Sequence, residues 1–267
     1  MCIYVVAMHG LCNRLSWLCG LYSYNLHKGC SNPDCKVYLK WEPTKMCNGH
    51  YSELFKNMDK LVIVKNDNEV PPNIKRYAGQ HSVPNVFKMF KIQINSEMEA
   101  AIFGLLNFND NIELKAQQFI SKNFKKNTIG MHIRRTDHVG LAKKFNNFTS
   151  DEYFYKIIDN EIRRDKNVMF FLAADNRKTQ DIYLKKYPQN IIVWKLINKP
   201  KDSFRHTTLE DAGMDLCLLS HCKRVEGSFH SSFSRIALML NINRRGAYKD
   251  ADAELNKYVF RGYKYKK

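Results

Sequence analysis

The chain has 267 residues, enough for one large domain or two small ones. Hydrophobic residues make up 44%, including 16 Phe and 14 Tyr, which excludes a disordered chain and allows a substantial core. The formal net charge is +17, from 43 Lys and Arg against 26 Asp and Glu, and it fits an anionic substrate pocket, a polyanionic partner or contact with an acidic surface. No repeat or low-complexity tract is visible, and no apolar run approaches the ~18 residues of a membrane span. The opening MCIYVVAMHG lacks the basic start of a signal peptide, so a cytoplasmic location with reduced thiols is expected. Cys30, Cys35, Cys47 and His50 match no common zinc spacing, and no metal is expected.

In chain order, Cys2 to Ala7 reads as a strand, residues 8–14 as a turn in which Gly10 supplies backbone freedom, and Leu15 to Leu26 as a helix. Strands follow at 36–41 and 61–64. Pro71-Pro72 breaks the chain, and 79–84 reads as irregular connection. Helices are expected at 96–106 and 112–124, then a strand at 128–133 and a helix from the Ser150 cap to Arg164. The second half continues with strand 167–173, helix 178–187, strand 191–194, helix 209–219, strand 224–226 and helix 232–240. This alternation predicts an α/β chain with parallel, doubly wound sheets and functional loops at the carboxyl ends of strands. Segments 8–14, 132–140, 174–177 and 227–234 all fall at such ends. The expected division is an α/β domain over 1–125 and a second α/β domain over 126–267 whose last helix packs back on the first.

The densest chemistry lies in IGMHIRRTDHVG, residues 129–140, where His132, Arg134, Arg135, Asp137 and His138 follow an apolar strand. Guanidinium groups bind phosphate oxygens in pairs and stay charged at ordinary pH, so a nucleotide diphosphate is the natural partner. Side chains alternate at a strand end, so one arginine reaches the ligand while the other pairs with Asp137 or closes the cleft. Arginine aimed at a leaving diphosphate stabilises the transition state without a metal, and the sequence holds no DxD cluster of the kind that carries one. His132 and Asp215 can read a base, since a carboxylate accepts both guanine N1–H and N2–H. Ser228, Ser231, Ser232 and Ser234 precede or open a helix and offer a phosphate cradle, with Phe233 in the same binding segment. His138 and Asp137 are the local acid–base candidates: Asp137 either orients His138, activates an acceptor hydroxyl or, the favoured role, holds Arg134 or Arg135 in place. Asn13 and Arg14 are placed to face the sugar or phosphates, and Asp175 ends another strand. No Gly-x-Ser-x-Gly elbow and no convincing glycosidase carboxylate pair occurs. A nucleic-acid-binding protein remains a separate reading of the charge and the aromatics, although these mostly follow apolar periods and look like core.

HIRRTDHVG, with GLCNRL, FLAADN and MDLCLLSHCKRVEGSFHSSFSR in the same order, resembles the fucosyltransferase superfamily, the α1,6 branch most of all. The resemblance is strong over residues 128–240 and implies a GT-B-like fold of two Rossmann-like domains facing across a cleft. It implies an inverting, metal-independent transfer of fucose from GDP-fucose to a glycan hydroxyl, with no cofactor. By position, Arg134 and Arg135 would hold the diphosphate, His132 and Asp215 the guanine, and 228–234 would complete the pocket with Asp175 nearby. His138 and Ala142 depart from the Lys and Glu of the α1,6 enzymes, which leaves room for another sugar nucleotide. The basic tail, Phe260 to Lys267, suggests contact with an anionic membrane or acceptor, or simply solubility.

Overall fold

A computed structural model describes residues 2–27, 35–136, 140, 148–198 and 206–247. It contains two four-stranded parallel sheets. The first half comprises β1 (Ile3–Ala7), α1 (Leu11–His27), β2 (Val37–Lys40), β3 (Leu61–Val64), β4 (Lys75–Gly79), α2 (Val83–Met89), α3 (Ser96–Phe103) and α4 (Asp110–Asn123). The second comprises β5 (Ile129–Ile133), α5 (Asp151–Arg164), β6 (Phe170–Ala174), α6 (Arg177–Lys186), β7 (Ile191–Ile192), α7 (Leu209–Ser220), β8 (Val225–Gly227) and α8 (Ser232–Arg245).

The sheets share one topology. Their orders are β3-β2-β1-β4 and β7-β6-β5-β8, so each chain half winds outward for three strands and then returns beside its own first strand. That return creates a topological switch point between β1 and β4, and another between β5 and β8. Crevices form there because the loops on either side leave in opposite directions.

β5 and β6 are buried at every position, as strands covered on both faces must be; β6 is a continuous apolar run, and β5 is apolar but for His132. One face packs Ile129, Met131, Ile133, Phe170 and Leu172 against Phe154, Ile158 and Tyr183 of α5 and α6. The other face, carrying Phe171 and Ala173, joins a larger core that runs through α7 and α8 to the first sheet. Gly130 on β5 allows this approach, since a Cβ there would meet the Leu219 side chain at 2.8 Å.

The apolar core crosses the expected 125/126 division. From the first half, Phe119 and Phe124 of the α4 region pack edge-on and tilted against Phe171. From the second half, α8 lies against α1 and α3. Arg235 of α8 forms a two-pronged ion pair with Glu99 of α3, whose side chain is 0% exposed. Burying that carboxylate is tolerable only because the guanidinium partners it.

Two elements depart from the sequence expectation. β4 (KRYAG) exposes both basic residues and buries only Tyr77, so an edge strand carries no alternating apolar signal. Its pairing with β1 is what makes it a strand. In α2, Pro84 occupies the first turn, where its missing N–H costs nothing, and so begins a helix rather than breaking one. The turn after β1 also differs: the left-handed residue is His9, with φ of 69°, and α1 starts at Leu11. Cys35 is disulfide-bonded, contrary to the expectation of reduced thiols throughout, and this removes it from any zinc site. No helix among the described residues is long and apolar enough to cross a membrane.

Candidate functional site

A cavity opens where the carboxyl ends of the two sheets face each other. Three helices begin at it. α1 contributes Leu11, Cys12 and Asn13; α7 contributes Leu209, Ala212 and its cap Thr208; α8 contributes Ser232 and Phe233. Helix N-termini present unsatisfied N–H groups and the positive end of the macrodipole, so their convergence makes an electropositive cleft before any side chain is counted. Arg134 adds a full charge.

The turn after β5 is held from both sides. Ser228 binds the His132 carbonyl through its backbone N–H at 3.0 Å, and its hydroxyl accepts from the Arg134 N–H at 3.0 Å. Asp175, at the end of β6, accepts from the Arg135 N–H (2.9 Å), the Thr136 N–H (3.0 Å), the Thr136 hydroxyl (2.6 Å) and Asn176 Nδ2 (2.9 Å). One carboxylate thereby absorbs four donors and fixes the backbone on which Arg134 stands. His132 is 4% exposed. Its ring stacks on Phe233 at 4.5 Å, and its Nδ1 lies 2.6 Å from Ser234 Oγ. Gly227 permits that packing, because a Cβ would meet the Ser234 side chain at 2.5 Å.

Of the residues singled out from the sequence, Asn13, His132, Arg134, Asp175, Asp215, Ser232 and Phe233 meet in this one cavity. Arg135 does not line it. Its guanidinium pairs with Asp151 at 2.8 Å, donates to the Arg134 carbonyl, and lies over the rings of Phe148 and Phe154. Alternation at the strand end turned it inward, with Asp151 as partner where the sequence reading offered Asp137. Arg14 is likewise drawn away from the expected sugar or phosphate role. It is 1% exposed and donates to the His9 and Glu42 carbonyls and to Thr44 Oγ1, which anchors the 42–47 loop beneath α1. Ser228 and Ser231 are buried and serve the backbone, Ser231 as the α8 cap, and Ser234 lies against His132, so of the four serines Ser232 reaches the cavity. Asp137, His138 and the basic tail lie outside the described residues.

Asp215 faces the cavity one helical turn beyond Ala212, and among the described residues no hydrogen bond or ion pair engages its carboxyl group. Burial, and then the nearby Asp211, raise its pKa well above the carboxylate norm. A carboxyl group left this way on a wall of a cleft is poised to receive donors from a ligand.

Sequence reasoning missed part of the wall. Met46, Cys47 and Asn48 come from the loop that Arg14 anchors, and nothing in their spacing marks them. Thr207 and Thr208 were legible in principle, since Thr208-x-x-Asp211 is a capping signature and the Thr208 hydroxyl accepts from the Asp211 N–H. Among the described residues, the grouping with ligand-like spacing is Glu113, Cys217 and His221, between α4 and α7. There Arg244 already pairs with Glu113 at 2.8 Å, and burial, followed by the Arg244 charge, pushes the His221 imidazole down to about 4.

Comparison with known proteins agrees with this geometry. The family profile of the alpha-(1,6)-fucosyltransferase N- and catalytic domains matches residues 81–255. Among solved structures, NodZ alpha-1,6-fucosyltransferase soaked with GDP-fucose superposes with a TM-score of 0.58 at 15% identity, covering 90% of this chain and 93% of that one. Fucosyltransferase NodZ from Bradyrhizobium gives 0.56 at 14% identity, covering 89% and 93%. POFUT1 in complex with GDP gives 0.57 at 13% identity, covering 91% and 95%. These distant structures share the two-sheet GT-B architecture. No curated protein matches the chain in sequence. The profile spans well over half of the chain and takes in the β5, β6 and β8 ends that build the cavity, and on that ground the chain belongs to the alpha-(1,6)-fucosyltransferase family.

Proposed function

We propose that the cleft binds GDP-fucose and transfers its fucosyl group, with inversion and without a metal, to a hydroxyl of a glycan acceptor. The observation that carries the reading is the meeting of Arg134 and Asp215 in one cavity where three helices begin. Asp215 accepts guanine N1–H and N2–H, a pairing adenine lacks. His132 and Phe233 form the stacked wall beside the base. The diphosphate lies against Arg134 and the N-termini of α1 and α8.

As the bond from fucose C1 to the β-phosphate breaks, negative charge grows on the diphosphate. A preorganised guanidinium and oriented peptide dipoles stabilise that charge more in the transition state than in the ground state. Asp175 is fully engaged in holding the turn, which leaves Asp215 as the other carboxylate of the wall. This supports charge stabilisation by protein donors in place of a divalent ion. Two relatives of the same fold were solved with GDP-fucose or GDP.

The test is transfer from GDP-fucose to a printed oligosaccharide array in excess EDTA, with the product's anomeric configuration read by NMR. A β donor should yield an α-linked product. Transfer only after Mn²⁺ addition, or a retained configuration, contradicts the mechanism. His138 and Ala142, standing where the α1,6 enzymes have Lys and Glu, favour a second reading with another GDP-sugar, and parallel reactions with GDP-mannose decide it. The proposal includes a cytoplasmic location and peripheral contact of the basic tail with an anionic surface, both checked by cell fractionation.

A further inference from the structure

The duplicated topology leaves a second switch point to explain. The cavity above lies at the β5/β8 switch of the second sheet. At the β1/β4 switch of the first sheet lies another, of about 300 Å³, at the lower end of the usual range for small-molecule sites. Its wall is polar. Asn13 and Ser16 come from the β1 side, Gln80, His81 and Ser82 from the β4 side, and His230, Ser232 and Arg235 from the β8–α8 loop opposite. Asn13 and Ser232 belong to both cavities, so the two are joined across these residues.

We propose that this second cavity holds the acceptor sugar and that His230 takes the proton from the hydroxyl that attacks, an inference that rests on the function proposed above.

Three independent observations support it. Among the described residues the buried Ser82 hydroxyl in this wall finds no hydrogen-bond partner, a deficit that a ligand hydroxyl corrects. His230 sits in the left-handed region, with φ of 56°, and a side chain held in such a conformation marks a place where surrounding structure over-determines the backbone. Asn13 donates to Gln80 Oε1 at 2.8 Å, which ties the β1 and β4 loops into one rigid lip at the junction of the cavities. Burial also lowers the pKa of His230, which favours the neutral imidazole a base must be. The other charged or titratable groups in this wall are His81, edge-on to Trp17, and Arg235, whose charge Glu99 compensates from behind.

The step balances. The acceptor O–H proton passes to a ring nitrogen of His230, and the oxygen forms its bond to fucose C1. The bond from C1 to the β-phosphate oxygen breaks, and its electron pair leaves on GDP beside Arg134. The imidazolium then returns its proton to water.

The test uses His230→Asn and His81→Ala with the printed oligosaccharide array, and GDP-fucose binding by calorimetry alongside. Asparagine tolerates the left-handed conformation but takes no proton near neutral pH, so it separates chemistry from backbone strain. For His230→Asn, kcat should fall about 100-fold, the lower bound for general-base catalysis, with Kd for GDP-fucose within about twofold of wild type. For His81→Ala, KM for the acceptor should rise with little change in donor affinity. Turnover of His230→Asn within about threefold of wild type, with donor binding intact, overturns the inference and leaves the donor reading standing. Failure of the wild-type protein to bind GDP-fucose is a different outcome: it removes the donor reading and the role of His230 with it.

Discussion

Arg134 and Arg135 are neighbours with opposite fates, and the difference is measurable. Arg134→Ala should cut transfer by about 10²–10³-fold, the cost of one transition-state donor, and weaken GDP binding while thermal unfolding stays near wild type. Arg135→Ala should do the reverse. Losing a guanidinium that pairs with Asp151 and covers two rings should cost about 2 kcal/mol in urea unfolding, with a smaller effect on GDP affinity. Asp215 gives a pH-dependent test. Its pKa in the unliganded protein is raised above the usual 3.8, so folding holds its proton more tightly than the unfolded chain does. The stability this group contributes is therefore complete below about pH 3.8 and is lost as pH rises through the raised value. Asp215→Asn should accordingly raise the Tm of the unliganded protein at pH 7 while weakening GDP. In wild type, GDP affinity should fall as pH drops through the raised pKa, because guanine N–H groups require the carboxylate as acceptor, and the Asn variant should lose that dependence. A wild-type pH profile as flat as the variant's would remove Asp215 from the base site.

At the scale of elements, what the sequence shows depends on what holds each element in place. β5, β6 and α5 announce themselves because the strands are largely apolar and one face of the helix is apolar, and the Ser150 cap accepts from the Tyr153 N–H as its position suggests. β4 is invisible because its reason for existing is the β1 edge 72 residues earlier in the chain, a non-local cause that leaves no local pattern. The site divides the same way. His132, Arg134, Ser232 and Phe233 stand at strand ends or a helix start, and Asp215 is a carboxylate within a largely apolar helix, so type and position already suggest chemistry. Arg14 and Arg135 have equally suggestive positions, but their orientation is set by carbonyls and carboxylates that come from distant segments. Met46 to Asn48 enter the wall only because Arg14 holds their loop. The α3–α8 pair is a further element-scale device. Glu99→Gln removes the buried charge that compensates Arg235, and unfolding free energy should drop by about 3 kcal/mol in urea. An unchanged midpoint would mean that the apolar packing of α8 on α1 and α3 suffices without the pair.

Across the whole molecule, one topology is used twice, and each copy leaves a crevice at its switch point. The charge of +17 is spread over the chain, while the cleft owes its field to three helix ends and Arg134. The aromatic side chains point against a nucleic-acid surface. Among the described residues, the large hydrophobic side chains at the exposed surface are Met, Leu and Ile, so no aromatic platform for stacked bases stands out. The central claim is a guanine-selective, metal-independent diphosphate site, and calorimetric titration of GDP, GDP-fucose, UDP and ADP with and without EDTA tests it most directly. The account predicts binding of GDP and GDP-fucose unchanged by EDTA, with UDP and ADP weaker by at least about tenfold. Preference for UDP, equal binding of all four, or a requirement for Mn²⁺ would contradict it.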